Sequence, residues 1–436
     1  MASAAEQMAA NLSWGALGKA TDLRQRILFT IGLLIVYRIG TYIPVPGIDG
    51  TALRDFMAQI SGGIGDILNV FSGGAISRMG IFALGIMPYI SASIIVQLLT
   101  AMVPKLEQLK KEGQQGQKKI NQYTRYGTVA LATVQAYGIA VSIQNGGLAN
   151  EPGLFFIAGT VITLVGGTMF LMWLGEQITA RGIGNGISLI IFVGIVAEIP
   201  RALAQFLSQG RSGAMSPAVI VGVLVMVVAV IGFVVFMERA LRKIHIQYPR
   251  RQVGMKVYDG GSSHLPVKVN PAGVIPVIFA SSLLLLPTTI STFSGAQTGP
   301  VMSTILAYFG PGQPLYLFFF VAMIVFFAYF YTANVSFKTD DVADNLKSQN
   351  GFVPGIRPGK KTQDYLDYVV VRILVLGSGY LAAVGLLPEI LRNQLGIPFY
   401  FGGTSVLIVV SVTMDTINQV QSHLLAHQYE GLIEKS

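Results

Sequence analysis

The chain has 436 residues, of which 52% are hydrophobic and only 12% are Asp, Glu, Lys or Arg. Soluble domains carry about 25% of these charged residues, and disordered chains combine low hydrophobicity with high charge. Both classes are therefore excluded, and the composition is typical of a polytopic membrane protein. Cysteine is absent and the four histidines are scattered, which excludes disulfides and thiolate chemistry and argues against a histidine-rich metal site.

Ten apolar runs follow one another along the chain. A bilayer core about 30 Å thick requires about 20 predominantly apolar residues per helix. Each run is bounded by charged or turn-forming residues, and the clearest is 218–237. The sequence therefore predicts an all-α protein with ten transmembrane helices. These lie at about 27–43, 80–103, 126–143, 153–175, 183–199, 218–237, 271–293, 314–337, 369–388 and 401–417.

The positions of the 30 lysines and arginines predict the orientation. Most precede the first run or follow an even-numbered run, above all in two long loops at 238–270 and 338–368. By the positive-inside rule, both loops and both termini are expected on the cytoplasmic side. The exceptions are Arg38 inside the first run and, on the opposite side, Arg54, Arg78, Arg201, Arg211 and Arg392.

A short motif occurs twice, in the second run of each set of five. Gly-x-x-Pro-x-Ile stands at 85–90 and again at 273–278. Glycine and proline weaken a helix locally, and such interruptions at corresponding positions of two halves indicate a functional centre. Coincidental kinks, which are common in membrane helices, are the alternative. The two halves would be joined near 200–217.

A glycine-rich segment at 61–74 is too short to span a membrane but carries apolar residues at helical spacing, among them Ile64, Ile67 and Leu68. We expect a short helix on the outer side of the membrane. Its apolar face would pack inside the helix bundle or, alternatively, lie on the membrane surface.

The two long loops are unusual in charge and length. The first contains the basic pair Arg250 and Arg251, which suits an acidic surface such as anionic lipid, RNA or an acidic protein. In the second, prolines and glycines at 354–359 are expected to form a stiff turn that presents Arg357 outward. Ordinary topogenic charge explains the sign of these loops but not their length.

Few residues could support catalysis. No phosphate-binding loop or zinc-protease motif occurs. The ionisable residues in or beside the runs mostly lie near run ends, where snorkelling accounts for them. The sequence therefore predicts neither an enzyme nor a bound cofactor or metal. These residues are Arg38, Glu176, Glu198, Arg372 and Asp415.

Longer strings give the chain a family resemblance over nearly its whole length. It resembles the SecY family, the pore subunits of the bacterial Sec protein translocase. The strings that carry this resemblance are FSGGAISR at 71–78, GIMPYISASIIVQLL at 85–99, QYTRYG at 122–127, GTMFLMWLGEQITARGIGNGIS at 167–188, HLPVKVN at 264–270 and PFYFGGTS at 398–405.

The resemblance implies two inverted five-helix halves, 1–205 and 206–436, that close like a clamshell around an hourglass pore. A plug at about 61–77 is expected below a ring of apolar side chains. The implied plug residues are Ile64, Ile67, Leu68 and Phe71. The implied pore ring consists of Ile86, Ile90, Ile187, Ile191, Ile278 and Ile408.

A lateral gate is implied between the second and third spans of one half and the seventh and eighth of the other, with Ser91, Gln135 and Ser282 as contacts. The two long loops correspond to docking sites for the SecA ATPase and the ribosome, including its rRNA, through Arg250, Arg251 and Arg357. The other implied partners are the SecE and SecG subunits, signal peptides, nascent chains and membrane lipids.

The expected function is a protein-conducting channel of the bacterial cytoplasmic membrane, which passes unfolded preproteins and releases hydrophobic segments laterally. The alternatives are an inverted-repeat secondary transporter for a small solute and an assembly scaffold without a pore. Carboxylates that could couple transport to protons are scarce in the runs, which disfavours the transporter. A scaffold would leave the apolar ring and the plug without a purpose.

Overall fold

The computed structural model describes residues 21–50, 53, 69–70, 72–211, 216–249, 251–253, 256–258, 261–293, 313–395 and 403–433. The chain divides into two compact units, which are described separately. The first unit comprises Met1–Leu207, Leu285–Leu306 and Ile408–Ser436, and the second comprises Ser208–Leu284 and Ala307–Leu407.

Helices dominate the described residues, and each predicted run overlaps one long helix. In chain order the helices are α1 (Thr21–Gly40), α2 (Met87–Met102), α3 (Pro104–Lys111), α4 (Gln114–Asn145), α5 (Leu154–Arg181), α6 (Gly186–Arg211), α7 (Pro217–Arg239), α8 (Ile275–Phe293), α9 (Pro314–Tyr331), α10 (Thr339–Ser348), α11 (Lys360–Leu395) and α12 (Gly403–Ile433). A π-helical turn, Thr332–Ser336, continues α9.

Within the described ranges, six helices are long and apolar enough to cross a membrane, namely α4, α5, α6, α7, α9 and α11. The pair α2 and α3 is bent by 98° and makes a seventh span if counted as one. The bend lies at Val103, whose backbone is extended because Pro104 follows it. These helices confirm a polytopic α-helical membrane protein, and the full number of ten spans is consistent with them.

Several helices continue past the predicted ends of their apolar runs. Helix α4 begins at Gln114 rather than near 126, and α11 begins at Lys360 rather than near 369. The predicted ends were placed at charged residues. A helix already nucleated by its membrane segment extends through such residues, because each added residue contributes a hydrogen bond at little cost.

In the first unit, α2, α4 and α5 pack closely together. Ala132 and Ala136 on α4 are fully buried in a shared core with Ala83, Ile139 and Leu164. Small residues allow helix backbones to approach in lipid, where van der Waals packing must replace the hydrophobic effect as the source of association.

The segment 72–86 packs closely against α1 at Gly40 and against α5 at Gly167. A Cβ atom on Gly167 would lie 2.1 Å from the carbonyl oxygen of Ile81, and one on Gly40 would lie 2.0 Å from the Phe82 ring. The Phe82 ring stacks between Tyr37 and Phe170, with centroids 6.1 and 6.0 Å away. Both glycines are therefore required by contact rather than by backbone conformation.

In the second unit, the predicted loop 238–270 forms two antiparallel β-ladders that the sequence analysis did not anticipate. Strand β1 (Leu241–Gln247) pairs with β4 (Ser262–Lys268), from Leu241 opposite Lys268 to Gln247 opposite Ser262. Strand β2 (Arg251–Val253) pairs with β3 (Lys256–Tyr258). This β-ribbon is a local addition to the otherwise helical fold.

The two predicted loops form one body. Gln247 and Phe352 exchange two backbone hydrogen bonds, of 2.9 and 3.0 Å, which join the β-ribbon to the second loop. The β-ribbon and the second loop also share a hydrophobic core with α11. We call residues 240–269 and 338–368 together the loop body. The core that it shares with the rest of α11 consists of Ile244, Val267, Val353, Leu366, Val369, Val370, Ile373 and Leu374.

Gly167 and its neighbour Gly166 provide a matched test of the packing between α5 and the 72–86 segment. A Cβ atom on Gly166 would meet nothing within 4 Å. We expect Gly167→Ala to lower the free energy of unfolding by roughly 1–3 kcal/mol, because the backbone of Ile81 must move. Gly166→Ala is expected to change it by less than about 0.5 kcal/mol.

The measurement is denaturant unfolding in detergent, followed by the fluorescence of Trp173, whose ring lies 5.7 Å from that of Phe170. Equal stability of the two variants would contradict the close contact.

Candidate functional site

The repeated Gly-x-x-Pro-x-Ile motif has the same local geometry in both units. Gly85 and Gly273 adopt positive φ angles of 57° and 61°. Helices α2 and α8 begin two residues later, so that Pro88 and Pro276 occupy the second helical position. Proline is tolerated in a first turn, where its missing N–H has no intrahelical partner. The expectation that these prolines interrupt spans is therefore wrong: they start helices.

The six isoleucines of the implied pore ring lie near helix starts. Ile86 directly precedes α2, and Ile90 lies in its first turn. Ile187 and Ile191 are one turn apart at the start of α6, Ile278 lies in the first turn of α8, and Ile408 lies in the second turn of α12. Ile187 is half-buried and the other five are buried. Apart from Ile278, all belong to the first unit.

A glycine-rich turn at 182–186 positions Ile187 and Ile191. Three of its backbone N–H groups donate to side chains: Ile183 N to Thr30 Oγ1 at 3.0 Å, Gly184 N to Gln419 Oε1 at 2.9 Å and Gly186 N to Thr179 Oγ1 at 2.8 Å. These acceptors come from α1, α12 and α5. The start of α6 is therefore held by three neighbouring helices at once.

The first residue before α6 completes this arrangement. The Asn185 Oδ1 atom accepts from the backbone N–H groups of Ile187 at 3.1 Å and Ser188 at 3.3 Å, as an N-cap does. A Cβ atom on Gly186 would lie 2.0 Å from the carbonyl oxygen of Gly175. The string at 167–188 does not by itself indicate the contacts of Thr30, Thr179 and Gln419, because these depend on the tertiary structure.

In the second unit, a polar group anchors the start of α8. The Asn270 Nδ2 atom donates to Glu238 Oε1 at 2.9 Å and to the carbonyl oxygen of Gly273 at 3.0 Å. The hydroxyl of Tyr380, on α11, also donates to Glu238 Oε1. Helices α7 and α11 thereby fix the turn at Gly273 and, with it, the position of Ile278. The sequence analysis did not identify this group.

The implied gate residues lie on three helices. Ser91 on α2 is buried and Gln135 on α4 is half-buried, and these two helices pack side by side in the first unit. Ser282 on α8 is buried in the second unit. Their role at a gate stays a prediction.

The implied plug residues Ile64, Ile67, Leu68 and Phe71 lie outside the described residues, as does Arg250. Arg251 is the first residue of β2. Arg357 is exposed at the tip of the second loop, where Gly355 and Gly359 have φ angles of 80° and 103°. The expected outward position of the Arg357 side chain is thus observed.

The described residues contain no group of three or more His, Cys, Asp or Glu side chains arranged to hold a metal ion. The arrangement at the helix starts is instead apolar, with polar residues serving to fix backbone positions.

Comparison with known proteins gives a consistent result. The family model described as SecY matches residues 80–417. "Protein translocase subunit SecY" of Escherichia coli (strain K12) is 53% identical over 426 residues, which is 97% of this chain and 96% of that protein. The protein of the same name from Rickettsia conorii is 50% identical over 419 residues, which is 95% of this chain and 96% of that protein.

Solved structures show a similar fold. "The structure of a protein conducting channel" has a TM-score of 0.67 at 19% identity, covering 91% of this chain and 92% of that one. "Sec61 in the Canine ribosome-channel complex from the endoplasmic reticulum" has a TM-score of 0.63 at 18% identity, with the same coverage. From the family match and the identity to bacterial relatives, the chain belongs to the SecY family.

Proposed function

We propose that this protein is the pore subunit of a protein-conducting channel, which moves unfolded preproteins across the bacterial cytoplasmic membrane and releases hydrophobic segments laterally into lipid. The observation that carries this proposal is the 53% identity, over 97% of the chain, to a protein translocase subunit. The same relatives remove the reason to consider a small-solute transporter. In this function the chain forms a passage and catalyses no reaction.

The isoleucines at the helix starts suit such a passage. A β-branched side chain is stiff and carries no hydrogen-bonding group, so it can surround an unfolded chain without holding its peptide groups. The same dry surface opposes the passage of hydrated ions. Ile90 and Ile278 occupy the same position of the repeated motif, which supports one contribution to the ring from each half.

The division into halves at 1–205 and 206–436 stays a prediction. One boundary of the compact units, between Leu207 and Ser208, lies close to it, but residues 285–306 and 408–436 belong to the first unit. In the proposed topology both termini and the loop body face the cytoplasm. The high content of lysine and arginine in the two long loops, 238–270 and 338–368, supports this orientation.

The proposed partners follow from this topology. SecE and SecG would lie beside the helices, and the SecA ATPase or the ribosome with its rRNA would dock on the loop body and supply the driving force. Signal peptides and nascent chains would enter the pore and leave through the gate into membrane lipids. The exposed Arg357, carried on a body with its own core, supports a docking role for that body.

A transport assay tests the function directly. Purified protein, reconstituted with SecE and SecG in proteoliposomes, is expected to make an unfolded preprotein resistant to external protease when SecA and ATP are present. Solute counterflow without import of the preprotein would contradict the channel function and support a small-solute transporter instead.

Ile191 and Ile190 provide a matched test of the pore ring, because both are 2% exposed and adjacent on α6. Each change to serine removes a buried apolar side chain, but only Ile191 is assigned to the ring. We expect Ile191→Ser to raise the ion leak of proteoliposomes by about tenfold or more, because a hydroxyl favours water in the constriction. Ile190→Ser should leave the leak near that of the unchanged protein, and equal leaks would contradict the assignment.

Arg357 and Lys360 provide a matched test of docking. Both are exposed basic residues near the tip of the second loop. We expect Arg357→Glu to weaken the binding of SecA or of ribosomes about tenfold, because a positive charge at the proposed contact is replaced by a negative one. Lys360→Glu makes the same change of charge and should weaken binding much less. Similar losses in a binding titration at fixed salt would indicate a diffuse basic surface instead.

A further inference from the structure

The chain just before the α2 segment folds into a compact turn. The carbonyl oxygen of Asn69 accepts hydrogen bonds from Gly74 N at 2.8 Å and from Ser72 Oγ at 3.0 Å. The Asn69 Oδ1 atom accepts from Ser77 N at 2.9 Å. Gly73 and Gly74 have φ angles of 66° and 81°, which favour glycine. We call residues 72–78 the anchor turn.

Helix α1 holds one side of the anchor turn. The Arg38 Nη1 atom donates to the carbonyl oxygen of Gly73 at 2.6 Å, and the Tyr37 hydroxyl donates to that of Ser72 at 3.4 Å. The Arg38 Nη2 atom also donates to the Tyr42 hydroxyl at 3.1 Å. The Arg38 side chain therefore links α1 directly to the backbone of the anchor turn.

Helix α6 holds the other side through Glu198. Its Oε1 atom lies 3.4 Å from Arg78 Nη2 and 4.0 Å from Arg38 Nη2. Arg201 contributes a longer and more exposed contact, of 4.0 Å, to Oε2. The Glu198 side chain is only 10% exposed. The expectation that Glu198 snorkels to the membrane surface is therefore wrong, because it is buried among arginines.

Close approach makes this contact specific. A Cβ atom on Gly74 would lie 2.2 Å from Glu198 Oε1, and one on Gly73 would lie 3.1 Å from the Cα atom of Gly194 on α6. The Arg78 guanidinium lies 4.1 Å from the centroid of the Tyr42 ring. Three of the six Lys and Arg residues that depart from the predicted charge bias, namely Arg38, Arg78 and Arg201, thus converge on one carboxylate.

We infer that Glu198 is a positioning residue which, through Arg38 and Arg78, holds the anchor turn against α1 and α6. This inference rests on the proposed function, in which residues 61–77 form the plug, since the anchor turn contains the end of that segment.

Thiol labelling tests this inference, because the chain contains no cysteine. Ser72→Cys introduces a single thiol at a position that is 3% exposed. In this background we expect Glu198→Gln to raise the rate of modification by a membrane-impermeant maleimide about tenfold or more, since Arg38 and Arg78 lose their shared partner. An unchanged rate in a folded variant would overturn the inference.

Glu176→Gln is the matched control. Glu176 forms a two-point ion pair with Arg125, at 3.1 and 2.7 Å, in the same unit but away from the anchor turn. Labelling should stay at the rate of the Ser72→Cys protein. An equal rise in both variants would show a general loosening and would also overturn the inference.

Gly74→Ala provides a second variant in case Glu198→Gln does not fold. It leaves every charge in place but displaces the turn from Glu198, and it should raise labelling by a similar factor. Because labelling needs no preprotein, the two proposals fail separately. Faster labelling without import of a preprotein would support the positioning role of Glu198 and contradict the channel function. Import with unchanged labelling would support the channel function and contradict the positioning role of Glu198.

Discussion

Lipid offers no hydrogen bonds, so every polar group that enters the membrane core must find its partner within the protein. The structure meets this constraint at the turns that precede its helices. Thr30, Thr179 and Gln419 accept hydrogen bonds from the backbone before α6, whereas Asn270, which also bonds Glu238, donates to the carbonyl oxygen of Gly273 before α8. These hydrogen bonds fix the backbone positions from which Ile187 and Ile278 follow within the first helical turn.

Glycine makes these turns possible in two physically different ways. At Gly85 and Gly273 it permits a positive φ angle, which directs the chain into a helix whose second residue is proline. At Gly167 and Gly186 it leaves room for a neighbouring carbonyl oxygen that lies 2.1 or 2.0 Å from where a Cβ atom would stand. The first use concerns the backbone of the glycine itself, whereas the second concerns what packs against it.

Two carboxylates of the first unit are held by arginines. Glu198 contacts Arg38, Arg78 and Arg201 beside the anchor turn, and Glu176 contacts Arg125. In the loop body, by contrast, Arg242, Lys243 and Arg357 are exposed. They lie on the β-ribbon and on the second loop, which Gln247 and Phe352 join. Buried charge here positions the chain, and exposed charge is available for partners.

Composition and hydrophobic runs by themselves determined that this is a helical membrane protein, because spans of about 20 apolar residues have no other stable solution in lipid. The repeated Gly-x-x-Pro-x-Ile motif and the long shared strings likewise located the isoleucines and the family. Only the tertiary structure decided what depends on distant contacts: that the two loops share one core and that Glu198 is paired. Those partners are separated along the chain by tens to more than a hundred residues, and no local pattern encodes such a contact.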